Sequence, residues 1–159
     1  MEWTVPLLSF GSSVVVAIIV AKVTVHLALT RFYAEKWWER KIAAYAAIIE
    51  ALHHVKSHAD RNLAFSLRGR DLPEQDEQQL TDKLQIAMAE LRKQLDIGDF
   101  MLSEEAVAAM NKLMAELGAS EKTTDWHEHL EHTFDAVDIC LSNIRPIARK
   151  DLRLAKRLF

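Results

Sequence analysis

Residues 3–21, WTVPLLSFGSSVVVAIIVA, contain no charged side chain, and the apolar character continues beyond Lys22 to Leu29. A bilayer hydrocarbon core of ~30 Å is crossed by ~20 helical residues at a rise of ~1.5 Å each. A helix also satisfies its own backbone hydrogen bonds, which lipid cannot do. The segment therefore predicts one membrane-spanning helix. It lacks the features of a cleaved signal peptide, because Glu2 replaces the basic leader and no small-x-small site precedes Arg31.

The charges beside this segment predict its orientation. Only Glu2 and the amino terminus precede it, whereas four basic residues follow it closely: Arg31, Lys36, Arg40 and Lys41. Cytoplasmic flanks of membrane helices are enriched in Lys and Arg, so the body of the protein is expected in the cytoplasm, behind a single pass of a bacterial inner membrane. The single cysteine, Cys140, agrees with this location, since it can form no disulfide within the chain.

Two features inside the apolar segment bear on assembly. Lys22 and His26 lie one helical turn apart, and two interpretations stay open: Lys22 extends to the headgroups, or both side chains face a polar lumen or another helix. On another face, small residues form a stripe that would let identical helices approach closely: Ser13, Ala17, Ala21 and Ala28. One helix cannot enclose a pore, so any channel-like activity would require a ring of protomers, and a homo-oligomer is expected.

The remaining sequence predicts an all-α protein with three parts: a transmembrane anchor over 1–30, a stalk helix over 31–68 and a small cytoplasmic helical bundle over 69–159. No Gly or Pro lies between residues 12 and 68, so the membrane helix is expected to continue into the stalk and to end at Gly69. Gly98 is expected to close a second helix and Gly118 a third. Thr123 or Thr124 is expected to cap the last helix, whose core face would include Trp126. Pro146 is expected to kink or divide this helix.

Charge is distributed unevenly along the chain. Residues 1–72 carry a net charge of +3, residues 73–138 a net charge of −11, and residues 139–159 a net charge of +5. Within the last block, Arg145, Arg149, Arg153 and Lys156 repeat at helical spacing. A run of arginines suits phosphate, which the planar guanidinium binds through two donors. Three partners fit these residues: a phosphodiester ligand, anionic lipid headgroups, or the acidic middle of the chain.

Histidines cluster twice, as His53, His54 and His58 and as the HEHLEH run of residues 127–132. Some of these spacings would allow two imidazoles to share a metal, but no further ligand is identifiable, so no metal site is predicted. The run also lacks the H-E-x-x-H spacing of zinc proteases. No nucleophile motif or Gly-rich phosphate loop occurs, so neither catalytic residues nor a cofactor is expected, and the protein is not expected to be an enzyme.

The run RFYAEKWWERKIAAYAAIIEALH, residues 31–53, follows a lone N-terminal membrane helix. This arrangement resembles small single-span membrane proteins of bacterial phage-defence loci, over about residues 10–60. In size and layout the chain is similar to the cyclic-oligoadenylate-responsive membrane effectors of type III CRISPR systems. The resemblance implies a tetramer whose cytoplasmic helical domain binds cyclic tetra-adenylate. It also implies that this tetramer perturbs the inner membrane. It offers no ligand motif to match residue by residue, and a retron-associated membrane toxin is the nearest related class.

The predicted ligand-binding residues combine the basic segment with the second histidine cluster: Arg145, Arg149, Lys150, Arg153, His129 and His132. The expected ligand is an anionic cyclic oligonucleotide rather than duplex nucleic acid. A second basic set, at the far end of the stalk, is the alternative location: Arg61, Arg68 and Arg70. The competing function is a membrane-anchored scaffold, or a retron-associated toxin, that has no nucleotide ligand and recruits a partner through its helices.

Overall fold

A computed structural model describes the backbone of residues 4–70, 72–120 and 125–156, and the side chains of residues 17–70, 72–98, 100–120 and 125–152. Within these ranges the chain forms four helices and no strand: α1 (Thr4–Ser66), α2 (Glu74–Met101), α3 (Glu104–Ser120) and α4 (Trp126–Lys156). The predicted all-α fold is therefore confirmed. The caps predicted for the last helix, Thr123 and Thr124, lie outside the described residues.

Helix α1 is 63 residues long and joins the apolar segment to the predicted stalk without a break. Gly69 adopts a φ of +60°, a left-handed conformation that glycine tolerates best, and its N–H donates to the Ser66 carbonyl at 3.0 Å. Arg70 N–H donates to the Phe65 carbonyl at 3.1 Å. The predicted continuation of the apolar N-terminal segment into the stalk as one helix, and the end of this helix at Gly69, are both confirmed.

The chain divides between Glu39 and Arg40 into two compact units, which we call the N-terminal and C-terminal units. Nearly all described side chains of the N-terminal unit are exposed, among them Lys22 and His26. Its exposed large apolar side chains are Ile18, Ile19, Val20, Val23, Val25, Leu27, Leu29, Phe32, Tyr33 and Trp37. This half of α1 therefore has an apolar surface that nothing in the described chain covers.

The C-terminal unit has an ordinary hydrophobic core to which all four helices contribute. Helix α1 contributes a regular line of buried residues that includes Tyr45, Ile48, Leu52 and Val55. Leu91 comes from α2, while α3 and α4 supply Met110, Leu113, Leu130, Val137 and Ile144. Trp126, expected in this core, is instead 56% exposed at the start of α4.

Two predicted helix ends were wrong, because packing overrides local breaking signals. Helix α2 continues past Gly98 to Met101, and α3 continues past Gly118 to Ser120. A glycine inside a helix costs only about 1 kcal/mol relative to alanine, and buried neighbours offset that cost. Pro146 does not divide α4, which runs through it. Its flanking residues Ile144 and Ala148 are both buried, so the core holds the helix together across the missing N–H donor.

Candidate functional site

One half-buried cluster of polar contacts joins three helices of the C-terminal unit. Asp151 of α4 accepts hydrogen bonds from two α1 side chains: Lys41 Nζ donates to its Oδ1, and Tyr45 OH donates to its Oδ2, each at 2.6 Å. Ser103 Oγ, at the start of α3, lies 3.4 Å from the same tyrosine hydroxyl. The Lys41 and Asp151 side chains are only 16% and 12% exposed, so solvent screens this ion pair weakly.

The environment of Tyr45 makes its hydroxyl a permanent donor. Burial, followed by the hydrogen bond to the Asp151 carboxylate, raises the pKa of Tyr45 to about 12, while the contact with Ser103 acts in the opposite direction. The phenol therefore stays protonated at physiological pH. Lys41 supplies a positive charge and Tyr45 a hydrogen-bond donor to Asp151. These two contacts fix α4 against α1.

Further along the same pair of helices, Lys56 of α1 contacts α4 in two ways. Its Nζ donates to Asp138 Oδ1 at 2.5 Å and lies 4.6 Å from the centre of the Phe134 ring. Lys56 thus meets residues 134–138, whereas Lys41 and Tyr45 meet residue 151. Within the C-terminal unit α4 is therefore antiparallel to α1, and its C-terminal end lies where this unit begins, at Arg40.

The predicted basic residues occupy this end of α4. Arg145 and Arg149 are exposed, and no ion pair in the described part of the chain involves either. Lys150 Nζ instead pairs with Glu105 Oε1 of α3 at 2.7 Å. Both partners are more than half exposed, so this pair contributes at most about 1 kcal/mol. Arg153 lies on α4, but its side chain is outside the described set.

An open groove of about 290 Å³ lies beside Lys150 and the Asp151 cluster. Its lining carries three carboxylates against one amine: Ser103, Glu104, Glu105, Ile147, Lys150 and Asp151. The Lys150 charge is already paired with Glu105, and Asp151 is occupied by α1. An anionic phosphate would meet net negative charge here, so this groove is unsuited to the predicted ligand.

The two histidines of the predicted set lie elsewhere on α4. His129 stacks on Trp126, with ring centres 5.5 Å apart, and its Nδ1 is 2.9 Å from the Ser120 carbonyl. His132 lies 3.7 Å from Glu128 and lines a separate groove of about 180 Å³ between α3 and α4. At a rise of ~1.5 Å per residue, these histidines are roughly 20–30 Å along the helix from Arg145 and Arg149. Within one chain the structure does not bring the six residues together.

The two histidine clusters meet through one residue of each. His58 of α1 is half-buried, and burial lowers its pKa below the usual range; the nearby His129 lowers it further and Glu77 opposes the change. No group of three or more His, Cys, Asp or Glu side chains in the searched, described residues has the arrangement of a metal site. The alternative basic set, Arg61, Arg68 and Arg70, is exposed at the end of α1.

Sequence reasoning missed the Asp151 cluster, although one signal pointed to it. Asp151 is the single acidic residue among the last 21 residues, a segment with six basic ones. A lone carboxylate in such a segment is typical of a charge that has a specific partner. The partners, Lys41 and Tyr45, are more than 100 positions away and belong to another helix, so periodicity alone could not identify them.

Comparison with known proteins finds no relative of this chain: no protein-family model, curated protein or solved structure matches it.

Proposed function

We propose that this protein is a single-pass inner-membrane protein whose C-terminal unit lies in the cytoplasm and acts by binding rather than by catalysis. One observation carries the proposal. Within Ala17–Ser66, an 18-residue window has a mean hydropathy of 1.4, and none of it is buried within the chain. Exposed apolar surface costs about 25 cal/mol per Å² in water, so a helix with this surface is stabilised by a bilayer.

The topology follows from the charge asymmetry, and a pair of fusions tests it. A reporter active only in the cytoplasm, fused after the last residue, should be active, and one active only in the periplasm should be inactive. The reason is that Arg31 and Arg40 follow the apolar segment, whereas only Glu2 precedes it. The same reporters fused before Met1 serve as the control and should give the opposite pattern. Periplasmic activity of the C-terminal fusion would contradict the topology.

The proposal extends to how such a protein would act. A lone membrane helix perturbs a bilayer through self-association, and a homotetramer gives a symmetric ligand four equivalent binding surfaces. The exposed guanidinium groups of Arg145 and Arg149 support a phosphodiester-bearing partner. The resemblance over residues 10–60 makes cyclic tetra-adenylate the free ligand to test, and antiviral membrane perturbation the activity. Such a ligand can shift the protein from a resting assembly to an active one only if it binds the active assembly better than the resting one.

Binding of cyclic tetra-adenylate is measured on the full chain in detergent, by calorimetry, with linear tetra-adenylate beside it. If the nucleotide is the ligand, Arg149→Ala should weaken binding about tenfold or more, since each charge-assisted contact contributes roughly 1.5–3 kcal/mol. The matched control is Arg92→Ala, an exposed arginine of α2. If Arg149→Ala binds as tightly as Arg92→Ala, or if the parent binds no cyclic oligonucleotide, the nucleotide form of the proposal is wrong.

The scaffold function is supported by a different observation. The groove beside Lys150 is lined by Glu104, Glu105 and Asp151, and residues 73–138 carry a net charge of −11. Such a surface suits a basic protein partner rather than a nucleotide. In the scaffold case the membrane anchor stays the same, while the C-terminal unit recruits a cytoplasmic protein through its acidic face.

A further inference from the structure

Within the C-terminal unit, α1 and α4 are held together by different chemistry at the two ends of their contact. At one end, Asp151 of α4 accepts hydrogen bonds from Lys41 and Tyr45 of α1. Towards the other end, His58 of α1 lies close enough to His129 of α4 for their charges to interact. An imidazole gains its charge close to neutral pH, whereas a lysine is charged throughout this range. The two ends should therefore respond differently to acid.

The contacts of His129 determine which of its nitrogens gains a proton. Its Nδ1 lies 2.9 Å from the carbonyl oxygen of Ser120, the last residue of α3. A carbonyl only accepts hydrogen bonds, so this contact assigns the hydrogen of the neutral ring to Nδ1 and leaves Nε2 to titrate. The ring also stacks on Trp126, with ring centres 5.5 Å apart. The charged ring therefore cannot turn away from its neighbours without breaking these two contacts.

The position of His58 disfavours a charge on its ring. Burial is the main reason why its pKa lies below the usual value of 6.5, and the charge of His129 lowers it further. Glu77, an exposed residue in the first turn of α2, acts in the opposite direction. The described groups that face this site are thus one imidazole from α4 and one carboxylate from α2, while the Ser120 carbonyl of α3 already contacts His129.

The other two histidines near the start of α4 act differently. His127 lies 3.8 Å from Glu131, and His132 lies 3.7 Å from Glu128, each pair one turn apart on α4. Protonation of either histidine strengthens a pair within α4 and adds no charge between helices. Any acid response of the contact between α1 and α4 at this end is therefore expected from His58 and His129.

The direction of the response follows from proton linkage. When this end opens, His58 becomes solvated and binds its proton at the usual pKa, so the open form takes up more protons than the closed form. The closed form therefore has its full stability above about pH 6.5 and loses stability as the pH falls below that value. At the other end, Tyr45 remains protonated over the same range and keeps donating to Asp151.

We infer that His58 and His129 form an acid-sensitive junction, in which protonation of both imidazoles separates the start of α4 from α1 while Asp151 holds the other end closed. All the residues involved belong to the C-terminal unit. The inference is therefore independent of the membrane anchor and of the ligand. It makes the conformation of this unit depend on the surrounding pH.

The test measures amide hydrogen exchange of the full chain in detergent at pH 7.5 and at pH 5.5, on either side of an ordinary histidine pKa. Each measured rate is divided by the intrinsic exchange rate at the same pH. Over residues 58–65 and 126–133, the corrected rate should be about tenfold higher at pH 5.5, which corresponds to about 1.4 kcal/mol. Over residues 41–48 and 145–152 it should change little, because the Asp151 contacts remain.

Three variants assign the response to these two imidazoles. His58→Gln keeps a polar side chain that cannot gain a charge, so exchange of both segments should become independent of pH. His129→Gln should have the same effect and serves as the second variant if His58→Gln does not fold. The matched control is His53→Gln, the same substitution at an exposed histidine of α1, which should retain the response of the parent.

Three results would overturn the inference. The first is a parent chain whose corrected exchange over residues 58–65 and 126–133 is the same at both pH values. The second is an equal rise in all four segments, which indicates unfolding of the whole unit rather than opening at one end. The third is a response that persists in both His58→Gln and His129→Gln.

Discussion

Asp151→Ala is expected to lower the free energy of unfolding of the C-terminal unit by about 3 kcal/mol. The substitution removes the acceptor of both Lys41 and Tyr45, and leaves an ammonium group and a hydroxyl in a half-buried position without their partner. Breaking a buried ion pair from one side costs roughly 3–5 kcal/mol, and the 12–16% exposure of this pair places it at the lower end. Urea unfolding followed by circular dichroism, on the full chain in detergent, measures the change.

Three further variants apportion the effect. Asp151→Asn keeps a carbonyl acceptor for Tyr45 while removing the charge that Lys41 needs, so its destabilisation should be intermediate. Tyr45→Phe removes one hydrogen bond to a carboxylate and should cost roughly 1.5–3 kcal/mol. Glu105→Gln breaks the exposed pair with Lys150 and is the control, with an expected change below about 1 kcal/mol. If Asp151→Ala is no more damaging than Glu105→Gln, the cluster does not hold α4 against α1.

The double substitution Ile18→Asp with Ile19→Asp is expected to abolish stable membrane integration. Both side chains are more than half exposed on the apolar half of α1, near the middle of the apolar segment that continues to Leu29. Each central aspartate opposes insertion by about 2.5–3.5 kcal/mol, so two exceed the margin of a segment that also contains Lys22. The measurement is the fraction of protein that stays in the membrane pellet after alkaline carbonate extraction.

The matched control places the same two charges on the same helix outside the apolar segment. Ala43 and Ala46 are exposed positions of α1 in the C-terminal unit, so Ala43→Asp with Ala46→Asp should leave carbonate resistance unchanged. Full retention of the Ile18, Ile19 variant in the pellet would show that this segment is not the anchor. Loss of both variants from the pellet would point to a general folding defect, which the urea midpoint of each variant then measures.

Local signals predicted most of the fold because each acts over a few residues. The absence of Gly and Pro over 12–68 predicts a continuous α1, and the left-handed conformation at Gly69 ends it as expected. The same kind of signal failed at Gly98 and Gly118, where the helices continue, and α4 is not divided at Pro146. A glycine or proline inside a helix costs about 1–3 kcal/mol. This cost is enough to end a helix at an exposed chain end, but burial of the flanking residues outweighs it elsewhere.

The six residues predicted as one ligand site do not lie together within one chain. Arg145 and Arg149 are exposed and available, as a binding surface requires. His129 and His132 were grouped with them by residue type, yet one continuous α4 separates the two groups by about four to six turns. Lys150 was counted as a ligand, and the structure pairs it with Glu105. Helix length and ion pairing between helices are properties of the folded chain, so residue type alone could not reveal either.

By itself the sequence determined three things about this protein: an uncharged apolar segment long enough to cross a bilayer, helices in the rest of the chain, and a basic C-terminal segment. Only the tertiary structure decided the direction of α4 relative to α1. Helical periodicity encodes which face of each helix is buried, but it does not specify which end of the neighbouring helix that face meets. The contacts of Asp151 with Lys41 and Tyr45 supply that choice, because the largely buried carboxylate of Asp151 leaves water only where α1 offers donors. The more exposed pair of Lys56 and Asp138 has the same direction.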